Sequence, residues 1–352
     1  MRSRREFLKA TTAGAYALVA ARQVPAQTAG PPMRVRGINH VTLSVSDVKR
    51  SVDFYQGLFG MPVISRQGST TNLQIGAGPQ FLGVSAAGSD SPRLDHLALG
   101  VEDFSVERVS RILAQYGLTR VDNAAGTGGG GLSGGPMKMR VRMRGSDAGG
   151  AREGTPELYI GDPNGFVIQL QDPRYCGGAG PLGNLCPAPS PRRGLLALRG
   201  WSHCTNSVSD PAASRAFCQD LFGFRIQAYQ GPASPVLGLG GVEFLMFTAA
   251  PAGRGGLGTT PRAAINHLCM TLENFRPEVV IKALETYGIK PRGDGQGAPG
   301  PLVHYISLRR EDRGGAKEGT PELYFTDPDG LIVQLQDVSY CGGSGVLGSV
   351  CN

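Results

Sequence analysis

Four of the five histidines in this 352-residue chain occupy one recurring position. Each is the third residue of a short motif that opens an apolar stretch; the four are His40, His96, His203 and His267. Imidazole is a common metal ligand, although a histidine at a strand end can also serve as a local hydrogen-bonding group. A single histidine would favour the structural role, and duplication could copy such a residue. Four at one equivalent position favour a metal site.

Paired glutamines form a second recurring feature. FVIQLQD carries Gln169 and Gln171, and LIVQLQD carries Gln334 and Gln336. Side chains at positions i and i+2 share one face of a strand, so each stretch places two uncharged amides on one face. If the units pair about a pseudo-two-fold axis, two histidines converge in each half. The closing strand then offers Gln169 or Gln334 as a third ligand.

Internal duplication organises the elements that must position these residues. Residues 153–186 match residues 318–351 at 22 of 34 positions without a gap, and the match persists more weakly upstream. We therefore expect two domains, 33–186 and 198–352, joined by a linker at 187–197 that is rich in proline and charge.

Each half is itself double. Four times the chain has a short apolar strand with a histidine, a few turn residues, an amphipathic helix and about three further strands. Val48–Phe59 has apolar residues at helical spacing, as do Phe104–Tyr116 and Pro277–Tyr287. A glycine follows each helix, as expected just beyond a helix end. Because strands and helices mix without a β/α alternation, the predicted class is α+β, with four βαβββ units.

The N-terminus reads as a targeting segment. Residues 1–26 have a basic start containing Arg4-Arg5, a modestly apolar stretch and a small-residue cleavage site after Ala26, typical of a twin-arginine export signal. The alternative is a basic tail followed by a first helix. The signal predicts a periplasmic or secreted protein and hints at a cofactor, because this export route carries folded proteins.

Charge and hydropathy exclude several classes of partner. Residues 1–26 carry five basic residues and one acidic residue, so about +3 of the formal +7 charge remains after cleavage. No polybasic block remains, so nucleic acid or membrane-surface binding is not indicated. No long apolar run follows residue 30, so the mature protein is expected to lack a membrane span. A small molecule is the expected partner, and a homodimer is possible.

The seven cysteines include two duplicated pairs. YCGGAGPLGNLC and YCGGSGVLGSVC each separate two cysteines by ten residues. In an exported protein this spacing predicts local disulfides Cys176–Cys186 and Cys341–Cys351. A four-cysteine metal site is the alternative. The sequence leaves the pairing of Cys204, Cys218 and Cys269 open.

The motifs together resemble one superfamily. The strand with its histidine, the helix ending in Leu-Phe-Gly and the closing DPxGxxxxL segment resemble the vicinal oxygen chelate superfamily, which includes glyoxalase I, bleomycin-resistance proteins and extradiol dioxygenases. Four units in one chain most resemble the extradiol dioxygenases. The resemblance covers nearly all of residues 36–340 and implies two domains, each an open, barrel-like sheet around a metal-centred cleft.

The resemblance also implies roles for individual residues. It places the metal ligands of the two halves at His40 and His96 with Gln169, and at His203 and His267 with Gln334. The third ligand of the dioxygenases is a glutamate, so a neutral amide stands where a charged ligand is expected. Fe(II) or Mn(II) is the expected metal, and no metal at all is the alternative. Tyr159 and Tyr324 match a tyrosine that contacts substrate near the metal. Gln171 and Gln336 could orient a ligand or water.

Other residues could contribute to the two clefts. Lys138, Arg140, Arg142 and Arg144 share a strand face, which would favour an anionic ligand if it points into the first cleft and is a solvated face otherwise. Tyr305 occupies the place of Arg140 in the second half. His304, the remaining histidine, could act as an acid or base, or lie on the surface. Glu157 and Glu322 are candidates for a replacement carboxylate ligand.

The sequence thus predicts an exported, divalent-metal-dependent enzyme that acts on a small, oxygenated and possibly aromatic substrate. Extradiol-type dioxygenation is the first expectation. A glyoxalase-type lyase or isomerase is the second, and a non-catalytic small-molecule binding protein of the bleomycin-resistance type is the third.

Overall fold

The computed structural model describes residues 30–122, 130–250, 263–294 and 297–352. The predicted export signal, residues 1–26, lies outside these ranges. In the described part no helix is long and apolar enough to cross a bilayer.

The first half contains nine strands and three helices within the described residues. Its elements in chain order are β1 (Val35–Val45), α1 (Val48–Phe59), β2 (Val63–Gln67), β3 (Thr70–Gln74), β4 (Phe81–Ala86), β5 (Arg93–Val101), α2 (Val106–Gln115), β6 (Thr119–Arg120), α3 (Gly130–Ser133), β7 (Lys138–Arg144), β8 (Thr155–Gly161) and β9 (Val167–Gln171). A single-turn 3-10 helix at Ser146–Ala148 precedes β8.

Among the described residues, the second half repeats this order without a counterpart of α3. Its elements are β10 (Leu198–Val208), α4 (Pro211–Phe222), β11 (Arg225–Tyr229), β12 (Pro235–Gly240), β13 (Glu243–Ala249), β14 (Ala264–Leu272), α5 (Pro277–Thr286), β15 (Lys290–Pro291), β16 (Val303–Arg309), β17 (Thr320–Thr326) and β18 (Ile332–Asp337). A 3-10 turn at Glu311–Arg313 precedes β17. The four-unit α+β fold is confirmed, and the two-residue strands β6 and β15 add to it. The domain boundaries stay a prediction.

Local chemistry sets the helix ends. Asp47 and Ser105 each accept a hydrogen bond from the backbone N–H three residues later, which satisfies an orphan donor of the first turn. Gly60 and Gly223 close α1 and α4 in the left-handed conformation, at φ of 67° and 69°. The expectation that glycine follows these helices is confirmed.

The sheets share one topology. The strand order is β2-β3-β4-β1-β5-β9-β8-β7-β6 in the first half and β11-β12-β13-β10-β14-β18-β17-β16-β15 in the second. The first strands of the two units, β1 and β5, are central and antiparallel, and β9 runs parallel to β5. This arrangement brings the histidine strands together and puts the glutamine strand next to them.

The halves share a continuous apolar core and several polar contacts. Tyr55 of α1 reaches Asp327 in the second half, and Asn164 of the first half contacts Ser214 of α4. Glu243 of β13 accepts the backbone N–H of Ile38 at 2.6 Å. The last of these contacts holds Ile38 of β1, two residues before His40.

Candidate metal centre

Strand register brings the predicted ligands of the first half to one place. His40 on β1 lies opposite Ala98 on β5, and Ala98 lies beside Gln169 on β9. Residues in register on neighbouring strands point to the same face, so only a methyl group separates the histidine from the glutamine. His96 lies two residues before Ala98 and shares its face.

The donor atoms of this set converge closely. Nε2 of His40 lies 3.1 Å from Oε1 of Gln169, and Nε2 of His96 lies 3.0 Å from the same oxygen. All three side chains are buried. Ligands bound at about 2.1 Å and at right angles to one another lie about 3.0 Å apart, so the spacing suits three neighbouring positions around one divalent ion.

The outer nitrogen of each imidazole is held in place. Asn39 donates its amide N–H to the carbonyl of Tyr175 at 2.8 Å, which orients Asn39 so that Oδ1 faces Nδ1 of His40 at 2.8 Å. Asp95 Oδ2 lies 3.0 Å from Nδ1 of His96. Both Nδ1 atoms therefore carry the proton, as is usual for metal-binding histidines.

These partners leave lone pairs facing one another. Burial, followed by the neighbouring His96, lowers the pKa of His40 well below its usual value, which keeps His40 neutral. A neutral imidazole protonated at Nδ1 presents a lone pair at Nε2. With His96 in the same form, as metal binding requires, two such nitrogens and a carbonyl oxygen would face one another, and a cation fits that point. The donor set therefore fits a divalent metal.

Asp95 carries charge behind this set. Although burial alone would raise the pKa of Asp95, the hydrogen bond and charge of His96, together with Arg93, lower it to about 2. Arg93 lies 2.7 Å from Asp95. A carboxylate that accepts the imidazole proton makes Nε2 a stronger donor.

The second half repeats the arrangement with neutral partners. His203, Cys269 and Gln334 lie in register across β10, β14 and β18. Nε2 of His203 lies 3.4 Å from Nε2 of His267. Burial lowers the pKa of His203 well below its usual value and that of His267 to about 4, opposed in both by a hydrogen bond with Gln334.

The outer nitrogens of the second pair contact no carboxylate. Ser202 Oγ lies 3.0 Å from Nδ1 of His203, and Asn266 Oδ1 lies 2.9 Å from Nδ1 of His267. Asn266 thus takes the place of Asp95. The amide nitrogen of Gln334 is buried without a hydrogen-bond partner among the described residues.

The predicted tyrosines lie beside both sets. Tyr159 is in register with Gln169, and its ring packs edge-on against His96 with 5.5 Å between centroids. Tyr324 packs against His267 in the same way at 5.4 Å. Their hydroxyls are directed at Glu157, at 3.2 Å, and at Glu322, at 3.4 Å.

Each buried glutamate belongs to an ion-pair network. Glu157 accepts hydrogen bonds from Arg144 at 2.7 Å and from the hydroxyl of Tyr175 at 3.0 Å. Glu322 accepts the equivalent bonds from Arg309 and Tyr340 at the same distances. The carboxylates neutralise buried guanidinium groups and do not join the histidine sets. In the described part no cluster of three or more His, Cys, Asp or Glu could hold a metal. A site of the kind described above therefore depends on glutamine.

A cavity opens above the ligand set of the first half. Its volume is about 420 Å³, and its lining includes His40, His96 and Gln169. Arg142 and Arg144 also line it, so part of the basic face of β7 points into the cleft. Arg140 is instead bonded to the carbonyl of Gly131 at 3.1 Å.

Several candidate residues lie away from the histidines. His304 lies on the opposite face of β16 from Tyr305, buried and 3.4 Å from Glu285 of α5, so the structure does not bring it to the cleft. Gln171 and Gln336 donate to backbone carbonyls, at 3.4 Å and 3.1 Å. Their amide nitrogens are thus engaged in the protein, whereas Oε1 of Gln171 is buried without a hydrogen-bond partner among the described residues.

Tyr305 does reach the second site. Its ring stacks on Tyr324 at 5.1 Å between centroids, and the guanidinium of Arg292 lies over it at 5.3 Å. The second site therefore has an aromatic wall where the first half has Arg140.

Sequence reasoning missed the partners of the outer nitrogens. A short polar residue precedes each of the four histidines: Asn39, Asp95, Ser202 and Asn266. That regularity was the available signal, because the preceding residue supplies the partner every time.

Both predicted disulfides are present, Cys176–Cys186 and Cys341–Cys351. The backbone of the first loop accepts Arg144 through Gly178 at 2.9 Å, so the loop supports the network around Glu157. Three further cysteines are free and buried: Cys204, Cys218 and Cys269.

Comparison with known structures agrees with this architecture. The Mn(II)-bound glyoxalase of Novosphingobium aromaticivorans aligns with a TM-score of 0.56 at 15% identity, covering 86% of this chain and 82% of that one. Homoprotocatechuate 2,3-dioxygenase of Brevibacterium fuscum, in complex with 3,4-dihydroxyphenylacetate, aligns with a TM-score of 0.56 at 16% identity, covering 90% and 84%. At these identities the likeness concerns the fold.

Sequence comparison matches part of the chain to one superfamily. Residues 37–117 match the Glyoxalase/Bleomycin resistance protein/Dioxygenase superfamily. The trivalent organoarsenical cleaving enzyme of Thermomonospora curvata is 34% identical over 84 residues, which are 23% of this chain. The match spans 56% of that curated relative, little more than half its length. The resemblance to the vicinal oxygen chelate superfamily is confirmed, in a paired form like that of the dioxygenases.

Proposed function

We propose that the protein is a divalent-metal-dependent enzyme whose metal is held in the first half by His40, His96 and Gln169. The observation that carries the proposal is the convergence of two imidazole nitrogens on one amide oxygen, each 3.0 to 3.1 Å from it, with a polar partner behind each outer nitrogen. Mn(II) or Fe(II) is the proposed ion, in line with the Mn(II) of the similar glyoxalase.

The first half is favoured over the second by charge. Asp95 stands behind His96, whereas Asn266 stands behind His267. A carboxylate at this position partly replaces the negative charge that a glutamate ligand would have supplied. The 420 Å³ cavity opens over the first set, so a small molecule can reach it.

The ligand set favours Lewis-acid chemistry. A bound divalent ion would polarise a substrate oxygen, and neutral ligands leave its charge undiminished for an oxyanion. His40 and His96 hold their protons at Nδ1 and keep Nε2 free, and Tyr159 packs against His96. A glyoxalase-type lyase or isomerase reaction on a small oxygenated molecule is therefore the reaction class we propose.

Extradiol-type dioxygenation is the second candidate. It is favoured by the likeness of fold over 90% of the chain to a dioxygenase described in complex with 3,4-dihydroxyphenylacetate. The neutral glutamine argues against it, because the usual facial Fe(II) site contains a carboxylate.

Metal analysis of the purified mature protein, followed by two assays, tests the proposal. We expect about one Mn or Fe per chain, no O₂ consumption with a catechol, and metal-dependent turnover of an oxygenated substrate without O₂. Catechol-dependent O₂ uptake that is lost in H96A would favour the dioxygenase. A protein that neither contains nor takes up Mn(II) or Fe(II) would contradict the metal site. It would favour a non-catalytic protein that binds a small molecule.

We also propose export through the twin-arginine signal. The two disulfides support it, since such bonds persist in oxidising compartments. Replacing Arg4 and Arg5 with lysines should retain the protein in the cytoplasm with its leader uncleaved, as fractionation and mass determination would detect. Unchanged export would contradict the assignment.

A further inference from the structure

The wall of the first cavity beside His40 is formed by hydroxyl groups. Thr42 and Ser44 follow His40 at every second position on β1 and so share its face. Ser85 lies in register with Ser44, and Thr70 donates to Ser85 at 3.1 Å. All four side chains belong to the cavity lining.

Apolar groups in this lining are few. They are Ala86, Ala87, Leu132, Met143 and Ala148. The lining includes one benzenoid side chain, Tyr159, which already packs against His96. An aromatic substrate would leave the hydroxyl wall without water or ligand partners, which is costly for buried polar groups.

The charges around the cavity favour an anion once a metal is bound. The lining contains three arginines and four carboxylates: Arg93, Arg142, Arg144, Asp90, Asp95, Asp147 and Glu157. A divalent ion bound by neutral ligands makes the total positive by one charge. A ligand with one carboxylate would neutralise it.

Arg142 is the arginine open to such a ligand. Arg93 is paired with Asp95, and Arg144 with Glu157. No ion pair involves Arg142 among the described residues; it is exposed at the cavity mouth, close enough to Tyr159 to influence its hydroxyl. Its counterpart in the second half is Ser307, so this cation is specific to the first half.

We propose that the substrate class is a small aliphatic acid with several hydroxyl groups, of the sugar-acid type. The inference rests on the proposed metal site, which would take two adjacent substrate oxygens. The hydroxyl wall binds the remaining hydroxyl groups, and Arg142 binds the carboxylate by charge-assisted hydrogen bonds.

Calorimetry with three probes tests the proposal. The Mn(II)-loaded protein is titrated with D-gluconate, with D-sorbitol, which lacks the carboxylate, and with 3,4-dihydroxyphenylacetate, which replaces the hydroxylated chain with an aromatic ring. We expect gluconate to bind at least tenfold more tightly than either. Equal binding of sorbitol, or tighter binding of the aromatic acid, would overturn the substrate class.

Two variants locate the binding groups. R142S, which copies the second half, should weaken gluconate about tenfold while leaving Mn(II) content unchanged. R152S, at an arginine whose side chain is 94% exposed and lies outside the lining, is the matched control and should behave as wild type. Unchanged gluconate affinity in R142S would overturn the role of Arg142.

Metal content after each titration separates this inference from the proposed function. If the protein retains Mn(II) but does not bind gluconate, the proposed substrate class is contradicted and the proposed metal site is not. If the protein never holds Mn(II), the proposed function fails, and the same titration then tests the hydroxyl wall and Arg142 by themselves. Gluconate binding that R142S weakens would still support them, and its absence would contradict them.

Discussion

At the scale of residues, the four histidines divide by what stands behind them. Asp95 is an ionised carboxylate paired with Arg93, whereas Asn266 at the equivalent place is neutral. The duplicated chain thus contains its own comparison: both outer partners differ between two similar ligand sets, and Asp95 is the one charged partner among the four.

The first prediction follows from this difference. Changing Asp95 to Asn keeps an acceptor for Nδ1 of His96 but removes the charge, and should weaken Mn(II) binding about 10- to 100-fold. Calorimetric titration of the metal-free protein measures it. The reciprocal change N266D is the matched partner and should strengthen binding at the second set. Equal affinities of D95N and wild type would contradict the role of Asp95.

The second prediction concerns Glu243, which joins the halves next to His40. Burial raises its pKa to about 7, despite the hydrogen bonds from Ile38 and Gln80 that lower it. A pKa raised in the fold means stability that is present at low pH and lost as pH rises through about 7. Between pH 5.5 and 8.5 the Tm of wild type should therefore fall more than that of E243Q.

Thermal melts by circular dichroism across this pH range provide the measurement. E153Q, at a side chain that is 83% exposed, is the control and should follow wild type. Parallel Tm profiles for wild type and E243Q would contradict the account of Glu243.

Individual site residues were partly predictable from the sequence. Duplication marked His40, His96 and Gln169, because a repeated residue at a fixed strand position indicates a shared face. The short polar residue before each histidine was the signal for Asn39 and Asp95, but the direction in which such a side chain points depends on tertiary contacts. His304 faces α5, because adjacent side chains of a strand point to opposite faces and Tyr305 points to the cleft side.

At the scale of elements, the disulfide loops support the two buried ion pairs. Each loop places a backbone carbonyl on a buried arginine, Gly178 for Arg144 and Gly343 for Arg309, both at 2.9 Å. The loops therefore connect the cysteine pairs to the tyrosines beside the histidines.

The third prediction is that opening the first loop lowers stability. The double change C176S/C186S should cost roughly 3 kcal/mol by loop-closure reasoning. Urea unfolding followed by tryptophan fluorescence and circular dichroism would measure it. Replacing the free, buried Cys218 with Ser is a control for the loss of thiol chemistry alone. A double variant as stable as wild type would contradict the supporting role of the loop.

Helices were the most predictable elements. Apolar spacing located α1, and the glycines after α1 and α4 adopt the left-handed conformation that such positions need. The two-residue strands β6 and β15 could not be foreseen, because two residues show no period.

At the scale of the whole molecule, duplication explains the architecture. Four similar units give two nine-stranded sheets with the same strand order, each with two histidines and a glutamine on central strands. The repeat was readable from sequence, so the fold was predictable. The reaction was not, because it depends on which side chains surround the ligands, and there the two halves have diverged.

The fourth prediction separates the halves. H40A/H96A should lose Mn(II) from the purified protein, whereas H203A/H267A should retain close to wild-type content, as elemental analysis would measure. Circular dichroism checks that both variants are folded. Loss of metal only from H203A/H267A would place the functional site in the second half.

The central claim is most directly tested by a crystal structure of the Mn(II)-soaked protein with anomalous scattering measured at the manganese edge. The account predicts one strong peak about 2.1–2.2 Å from Nε2 of His40, Nε2 of His96 and Oε1 of Gln169. A reversed Gln169 amide that donates its two N–H groups to the imidazoles, with no peak between them, would contradict it.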